Sequence, residues 1–351
     1  MTTILVLAGI LAVPVVVAAL LVWGVLLILG RRKTLWRVFK RAGITYAVLL
    51  PFFIWGLTPL VFAYLLSHAG TRPPDLRLEE TPQELGCNYE DVTFSSRDGI
   101  DLSGWYLPGE KEQAAFSISH GLFRNRHEVM RRACDLNQKG YPVLLFDFRA
   151  HGSLQGRSGE GAVSLGYRER QDVQGAVDFL LERGHKELVL MGVSMGAVAV
   201  IEGAPAVSQH LKGLVVDSPF QSLDETVGRH VRLILGIPGF PFGNIFAFGL
   251  RWMTETPSGE PDTTKALAQL DKIPVLLIYG GQDQRMPEET AQAVFEAVPG
   301  ERKQLVYFPE AGHGNAYDND PRRYVALVES FVQDLDPSPR PNPSAGSSRA
   351  Q

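Results

Sequence analysis

The sequence predicts an α/β fold: a mostly parallel central sheet with helices on both faces and a small helical cap, preceded by two transmembrane helices. Three observations predict it. From residue 114 onward, short apolar runs alternate with amphipathic stretches, the pattern of strands covered on both sides and joined by helical crossovers. One of these runs, 187–191, leads through a glycine-flanked turn directly into a helical stretch. Ahead of the domain, residues 4–29 and 42–66 contain no charged side chain. With 45% of 351 residues hydrophobic and 21% charged, the chain is apolar enough to build a sizeable core. Its 35 Gly and 23 Pro follow no period, which excludes collagen-like and low-complexity chains.

Taken in order, residues 4–30 are long enough as a helix to cross a bilayer. Met1-Thr2-Thr3 carries no positive side chain and Arg31-Arg32-Lys33 follows the run, so an uncleaved anchor fits better than a cleaved leader. The second predicted span, 42–67, contains Pro51, Gly56 and Pro59, which membrane helices tolerate, and has Tyr46, Trp55 and Tyr64 as interfacial aromatics. Six basic residues lie between positions 31 and 41 and read as a loop between the two helices. By the positive-inside rule that loop is cytoplasmic, which makes the protein multi-pass in a bacterial-type cell membrane with the domain that follows outside the cytoplasm. Residues 1–72 hold seven basic and no acidic side chains, so the formal net charge of −4 leaves −11 on the remaining 279 residues. An acidic domain repels phosphates, and no nucleic acid is expected as a partner.

Residues 71–84 are polar, with Pro73, Pro74 and Pro82, and read as a linker between a membrane anchor (1–70) and a domain at 85–335. Runs at 89–94 and 102–107, separated by Ser96-Arg97-Asp98-Gly99, predict an antiparallel entry hairpin. Strands are predicted at 114–119, 143–146, 188–191, 214–216, 275–279 and 305–308, and helices at 127–139, 169–183, 195–208, 287–297 and 321–334. The rhythm breaks at 220–262, a stretch carrying Phe240, Phe242, Phe246 and Phe248 that reads as a small cap over the strand ends. The tail, 336–351, is rich in Pro and Ser and reads as disordered. Arg126, Arg131 and Arg132 on one helix read as a solvated face, while His127, His185, His210 and His230 read as helix-surface residues. Cys87 and Cys134 form no C-x-x-C or Cys/His cluster, so a zinc site or disulfide scaffold is excluded. They read as isolated buried thiols.

Gly192-Val193-Ser194-Met195-Gly196 matches G-x-S-x-G. The pentapeptide alone is weak, but its place between a strand and a helix is that of a nucleophile elbow, where small flanking residues let the backbone pass close to a strained serine. A serine hydroxyl needs a base, and the base needs a group that fixes its tautomer. Two late strand ends supply both in the order serine, acid, histidine: Asp283 after Ile278-Tyr279-Gly280-Gly281-Gln282, and His313 after Phe308-Pro309-Glu310-Ala311-Gly312. Asp318 and Asp320 follow His313 and read better as helix caps beside Pro321.

On these residues, residues 88–335 resemble the α/β-hydrolase superfamily, most closely its monoglyceride-lipase-like and prolyl-peptidase-like serine hydrolases. The resemblance extends to Ser119-His120-Gly121-Leu122, similar to the family's H-G element, and to Asp147-Phe148-Arg149-Ala150-His151-Gly152, similar to its D-x-R-G element but with Ala150 where the family usually has Gly. It implies the α/β-hydrolase fold, catalysis by Ser194, His313 and Asp283, and an oxyanion hole from the backbone N–H groups of Leu122 and Met195. By the same resemblance, Asp217-Ser218-Pro219-Phe220 is a structural turn into the cap; His120 and His151, in glycine-containing loops on the active face, read as structural. Related dehalogenases and epoxide hydrolases would want Asp at position 194. The expected function is therefore a membrane-anchored serine hydrolase acting on an ester, thioester or amide, with esterase or lipase-like action first. The expected partners are a small-molecule acyl substrate, a lipid among the candidates, and the membrane. Neither metal nor cofactor is called for. A peptidase, an acyltransferase or a non-catalytic membrane scaffold on the same fold are the alternatives.

Overall fold

The computed structural model describes residues 32–335 apart from 73–74, 76–79, 111–113 and 154–155. The first predicted span (4–30) and the tail (336–351) lie outside the described residues.

Eight strands form one sheet: β1 (Glu90–Ser95), β2 (Asp101–Leu107), β3 (Ala115–Ser119), β4 (Val143–Phe146), β5 (Leu188–Val193), β6 (Leu211–Asp217), β7 (Val275–Gly280) and β8 (Lys303–Phe308). Their spatial order is β1-β2-β4-β3-β5-β6-β7-β8. The expected entry hairpin is present, because β1 pairs antiparallel with β2 and β2 with β4, while every later pairing is parallel. Strands β3 to β7 are buried at almost every position, which is why their sequences read as continuous apolar runs rather than alternating ones. Two apolar clusters result, one on each face of the sheet.

The crossover helices are α3 (His127–Gln138), α4 (Arg170–Glu182), α5 (Met195–Gly203), α9 (Glu288–Ala297) and α11 (Pro321–Asp334), the last capped by the Asp320 carboxylate, which accepts from Arg323 N at 3.0 Å. Helix α5 stops earlier than expected. Pro205 cannot donate to the helical ladder, and 204–210 continue as a 3₁₀ turn. Between β6 and β7 lie the cap helices α6 (Leu223–His230) and α7 (Phe242–Thr254), separated by a π turn at Val231–Leu235, followed by the short α8 (Thr263–Leu267); the one-turn α10 (Ala316–Asn319) follows β8. Cys87 and Cys134 are buried and not disulfide-bonded.

The N-terminal region departs from expectation. The basic stretch 31–41, read as a loop, is helical from Arg32 on. Helix α1 (Arg32–Phe52) passes through a π turn at Phe53–Leu57 into α2 (Thr58–Ser67) with α-region backbone at both junctions. Charge does not break a helix, and Lys and Arg are good helix formers. Among the described residues one stretch, Lys40–Ser67, is long and apolar enough to cross a membrane, with mean hydropathy 2.0 and 11% of its most apolar window buried. Its second half packs on the cap. Trp55 and Phe62 both contact the Phe242 ring, and Leu60 lies against Gly249 of α7.

Residues just beyond α2 are stitched into the domain. Ser67 O accepts from Val163 N at 2.9 Å, Arg72 N donates to Phe123 O at 3.0 Å, and Thr71 Oγ1 donates to Arg124 O at 2.8 Å.

Candidate active site

Ser194 sits at the sharp turn between β5 and α5 with φ 53° and ψ −116°, a backbone conformation that costs energy for any residue with a side chain. Two glycines make the turn feasible. A Cβ on Gly192 would come within 2.4 Å of Gly196 O, and one on Gly196 within 2.5 Å of His120 O and 2.6 Å of Ser119 O. The same close approach sets the β3 loop beside the serine. Ser194 N donates to Asp217 O at 2.8 Å, which ties the turn to the end of β6.

The structure brings the three sequence-predicted side chains together. Ser194 Oγ lies 2.8 Å from His313 Nε2, and His313 Nδ1 lies 2.7 Å from Asp283 Oδ2. The other carboxylate oxygen of Asp283 accepts from Arg285 N at 2.8 Å and Met286 N at 3.0 Å, so the group is fixed by its own loop after β7. Those two backbone donors have no signature in the sequence. The loop carrying His313 is held by Ser218, whose Oγ accepts from Gly314 N at 3.2 Å and donates to Asp217 Oδ1 at 2.9 Å. The turn at 217–220 thus positions the imidazole as well as leading into the cap.

Leu122 and Met195 line the same cavity as Ser194, Leu122 on the loop after β3 and Met195 as the first residue of α5. The N-terminus of α5 favours negative charge at this point. Glu128 of α3 braces the Leu122 loop by accepting from Gly121 N at 2.6 Å, and burial pushes its carboxyl above the ordinary value. His120 is fully buried: its Nε2 accepts from Phe148 N at 3.1 Å, and burial lowers its pKa well below the usual imidazole value. His151 is likewise buried, its Nδ1 2.9 Å from Arg149 O.

The cavity holds about 560 Å³. Apolar side chains from α2 (Phe62, Leu66), the cap π turn and α7 line it, together with the polar Arg72, Arg124, Glu128, His230 and Arg285.

Two expectations are corrected here. His230 is not a helix-surface residue: it lines the cavity, its Nδ1 is 2.7 Å from Thr226 O, and burial lowers its pKa. The spacing of Leu223, Thr226, Val227 and His230 along one helical face was the available signal. The face carrying Arg126, Arg131 and Arg132 is not solvated as a whole. Arg126 and Arg132 are 4% and 1% exposed, because Arg126 pairs with Asp147 and covers the Trp105 ring, and Arg132 lies between Asp217 and the rings of Tyr317 and Tyr324. Only Arg131 reaches outward, to Glu80. Burial raises the Asp147 pKa to about 6 against the pull of Arg126. Among the described residues, no group of three or more His, Cys, Asp or Glu could hold a metal ion.

The Alpha/beta hydrolase family model matches residues 118–327. The chain is 27% identical over 246 residues to the uncharacterized protein YqkD of Bacillus subtilis, covering 68% of this chain and 78% of that one. It is 22% identical over 268 residues to protein bem46 of Schizosaccharomyces pombe, covering 73% and 80%. Among solved structures it is similar to the Pyrococcus furiosus esterase Pf2001, with TM-score 0.62 and 26% identity over 76% of this chain and 98% of the esterase. A thermophilic esterase from Thermogutta terrifontis shares the fold, with TM-score 0.52 at 20% identity, covering 70% of this chain and 99% of that one.

Proposed function

The chain belongs to the alpha/beta hydrolase family, and from that membership we propose that it is a membrane-anchored serine hydrolase, esterase- or lipase-like, that works through an acyl-enzyme. In this reading Ser194 Oγ attacks the substrate carbonyl while His313 Nε2, 2.8 Å away, takes its proton. Asp283 holds the Nδ1–H tautomer and stabilises the imidazolium. The N–H groups of Leu122 and Met195 receive the charge that develops on the carbonyl oxygen. His313 then protonates the leaving group, and the same imidazole deprotonates the water that releases the acid. The observation that carries this reading is the unbroken hydrogen-bond chain from Asp283 through His313 to Ser194 at the edge of a largely apolar cavity. Similarity to the Pf2001 esterase supports ester over peptide substrates.

The anchor reading rests on length and exposure. Residues 40–57 extend about 27 Å as a helix, close to the roughly 30 Å of a bilayer's hydrocarbon core. Ile44, Val48, Leu49 and Phe52 are exposed. The basic end at 32–41 then lies in the cytoplasm and the hydrolase domain on the opposite side. The domain plan proposed is an anchor at 1–70, with a first span at 4–30 and a second apolar segment at 42–67 whose first half crosses the bilayer and whose end packs on the cap, then a linker at 71–84 and a hydrolase domain at 85–335 with its cap at 220–262.

Labelling membranes with a fluorophosphonate tests the chemistry. The wild-type chain should be labelled and Ser194→Ala should not. An unlabelled wild type would leave a scaffold with a hydrolase fold.

A further inference from the structure

The cavity beside Ser194 is not walled by the hydrolase domain alone. Phe62 and Leu66, two side chains of α2, line it together with Leu235 of the cap π turn and Phe242 and Phe246 of α7. Helix α2 is the end of the apolar helix Lys40–Ser67, and its position is fixed by the Phe62–Phe242 ring contact and by the bonds from Ser67, Thr71 and Arg72 to the domain. Ile234 lines the cavity and is also 65% exposed, so the cavity opens to the outside at the π turn. On the elements around that opening, Val61 and Leu65 of α2 and Phe248 and Trp252 of α7 are exposed as well. Exposed large apolar groups clustered on neighbouring elements mark a surface that meets something other than water. The helix that continues from them is long and apolar enough to cross a membrane.

We propose that α2 forms part of the acyl-binding subsite, and that the chain takes the acyl group of its substrate directly from the lipid layer through the opening at Ile234. The substrate class is an ester of a long acyl chain dissolved in the bilayer. The chain lies against Phe62, Leu66 and Phe246, while the carbonyl reaches Ser194 and the more polar alcohol part faces Arg124, His230 and Arg285. No added chemistry is needed beyond the hydrolysis proposed above, and the inference rests on that reading of Ser194.

The full-length chain in phosphatidylcholine vesicles tests it, with p-nitrophenyl esters from butyrate to palmitate as probes. Counted per total ester, each methylene that moves from water into the bilayer should raise kcat/KM by a factor of about four until the ester is wholly in the vesicles. Leu66→Trp and Phe62→Trp, which fill the α2 side, should each lower the laurate-to-butyrate ratio at least tenfold, with fluorophosphonate labelling of Ser194 used to count folded sites in each preparation. With the total amount of long-chain ester fixed, the rate should follow its mole fraction in the vesicles. A wild type that prefers butyrate, a ratio unchanged in both variants, or a rate that follows ester dissolved in water would overturn the inference while leaving labelling intact. Loss of labelling in the wild type would instead strike the hydrolase reading itself.

Discussion

Asp283 illustrates how narrowly one side chain is committed. One oxygen faces His313 Nδ1 at 2.7 Å, and the other is occupied by two backbone N–H groups. Replacing it with Asn preserves the shape but offers the imidazole an amide that can favour the wrong tautomer. Asp283→Asn is therefore expected to lower kcat by about 10³ to 10⁴ with little change in thermal midpoint, measured on a soluble butyrate ester. Ala150 behaves differently. It holds φ at 61°, in the left-handed region that glycine occupies without strain, and its N–H donates to Gly159 O at 3.0 Å. Ala150→Gly should raise stability by up to about 1 kcal/mol, seen as a higher urea midpoint. A lowered midpoint would mean that the methyl packs better than the backbone strains. The nearby Arg149, fully buried, bridges Asp98 at 2.7 Å and Asp172 at 2.6 Å and so keeps this turn in place.

At the level of elements, the end of β6 is the junction that aligns the others. Asp217 O receives Ser194 N, its carboxylate receives the Ser218 hydroxyl, and Ser218 in turn receives Gly314 N beside His313. Arg132 reaches this carboxylate from α3, at 3.9 Å, with the ring of Tyr324 from α11 packed against it. Arg132→Met would leave Asp217 buried without its cation and should cost about 3 kcal/mol or more. Fluorophosphonate labelling should slow at the same time, because the Ser218 contact to the His313 loop shifts with Asp217. Retention of both stability and labelling rate would show that this pair is dispensable. What the sequence could and could not disclose follows from the same geometry. Ser194, Asp283 and His313 stand at strand ends, and strand ends can be read from apolar periodicity. The burial of Arg126 and Arg132 depends on Asp147 and Asp217, which come from distant strands, so a helical arrangement of arginines gave no hint of it. His230 faces the cavity only because of how the cap folds back, and the helix through 32–41 follows from propensity that a count of charges does not reveal.

Over the whole molecule, the pH response should be dominated by carboxyl groups that folding removes from water. Glu202 of α5 accepts Asp262 N at 2.9 Å, and burial, helped by the charge on Glu260, raises its pKa from the ordinary 4.5 to about 7. The folded chain then holds this proton more tightly than the unfolded chain. Its contribution to stability is complete below about pH 4.5 and is lost as pH rises through about 7, a change on the order of 3 kcal/mol. Glu202→Gln keeps an acceptor for Asp262 N and removes the titration, so its stability relative to wild type should improve steadily between pH 5 and pH 8. Parallel thermal-midpoint curves for the two proteins would contradict this.

The bonds that fasten Thr71 and Arg72 to the loop carrying Leu122, and Ser67 to Val163, leave no swivel between the apolar helix and Ser194. If that helix is embedded as proposed, every copy in one leaflet must present its opening at the same height and tilt. Encounters with substrate would then be set by crowding in a plane, so that diluting the surrounding buffer changes nothing while diluting the membrane slows every turnover.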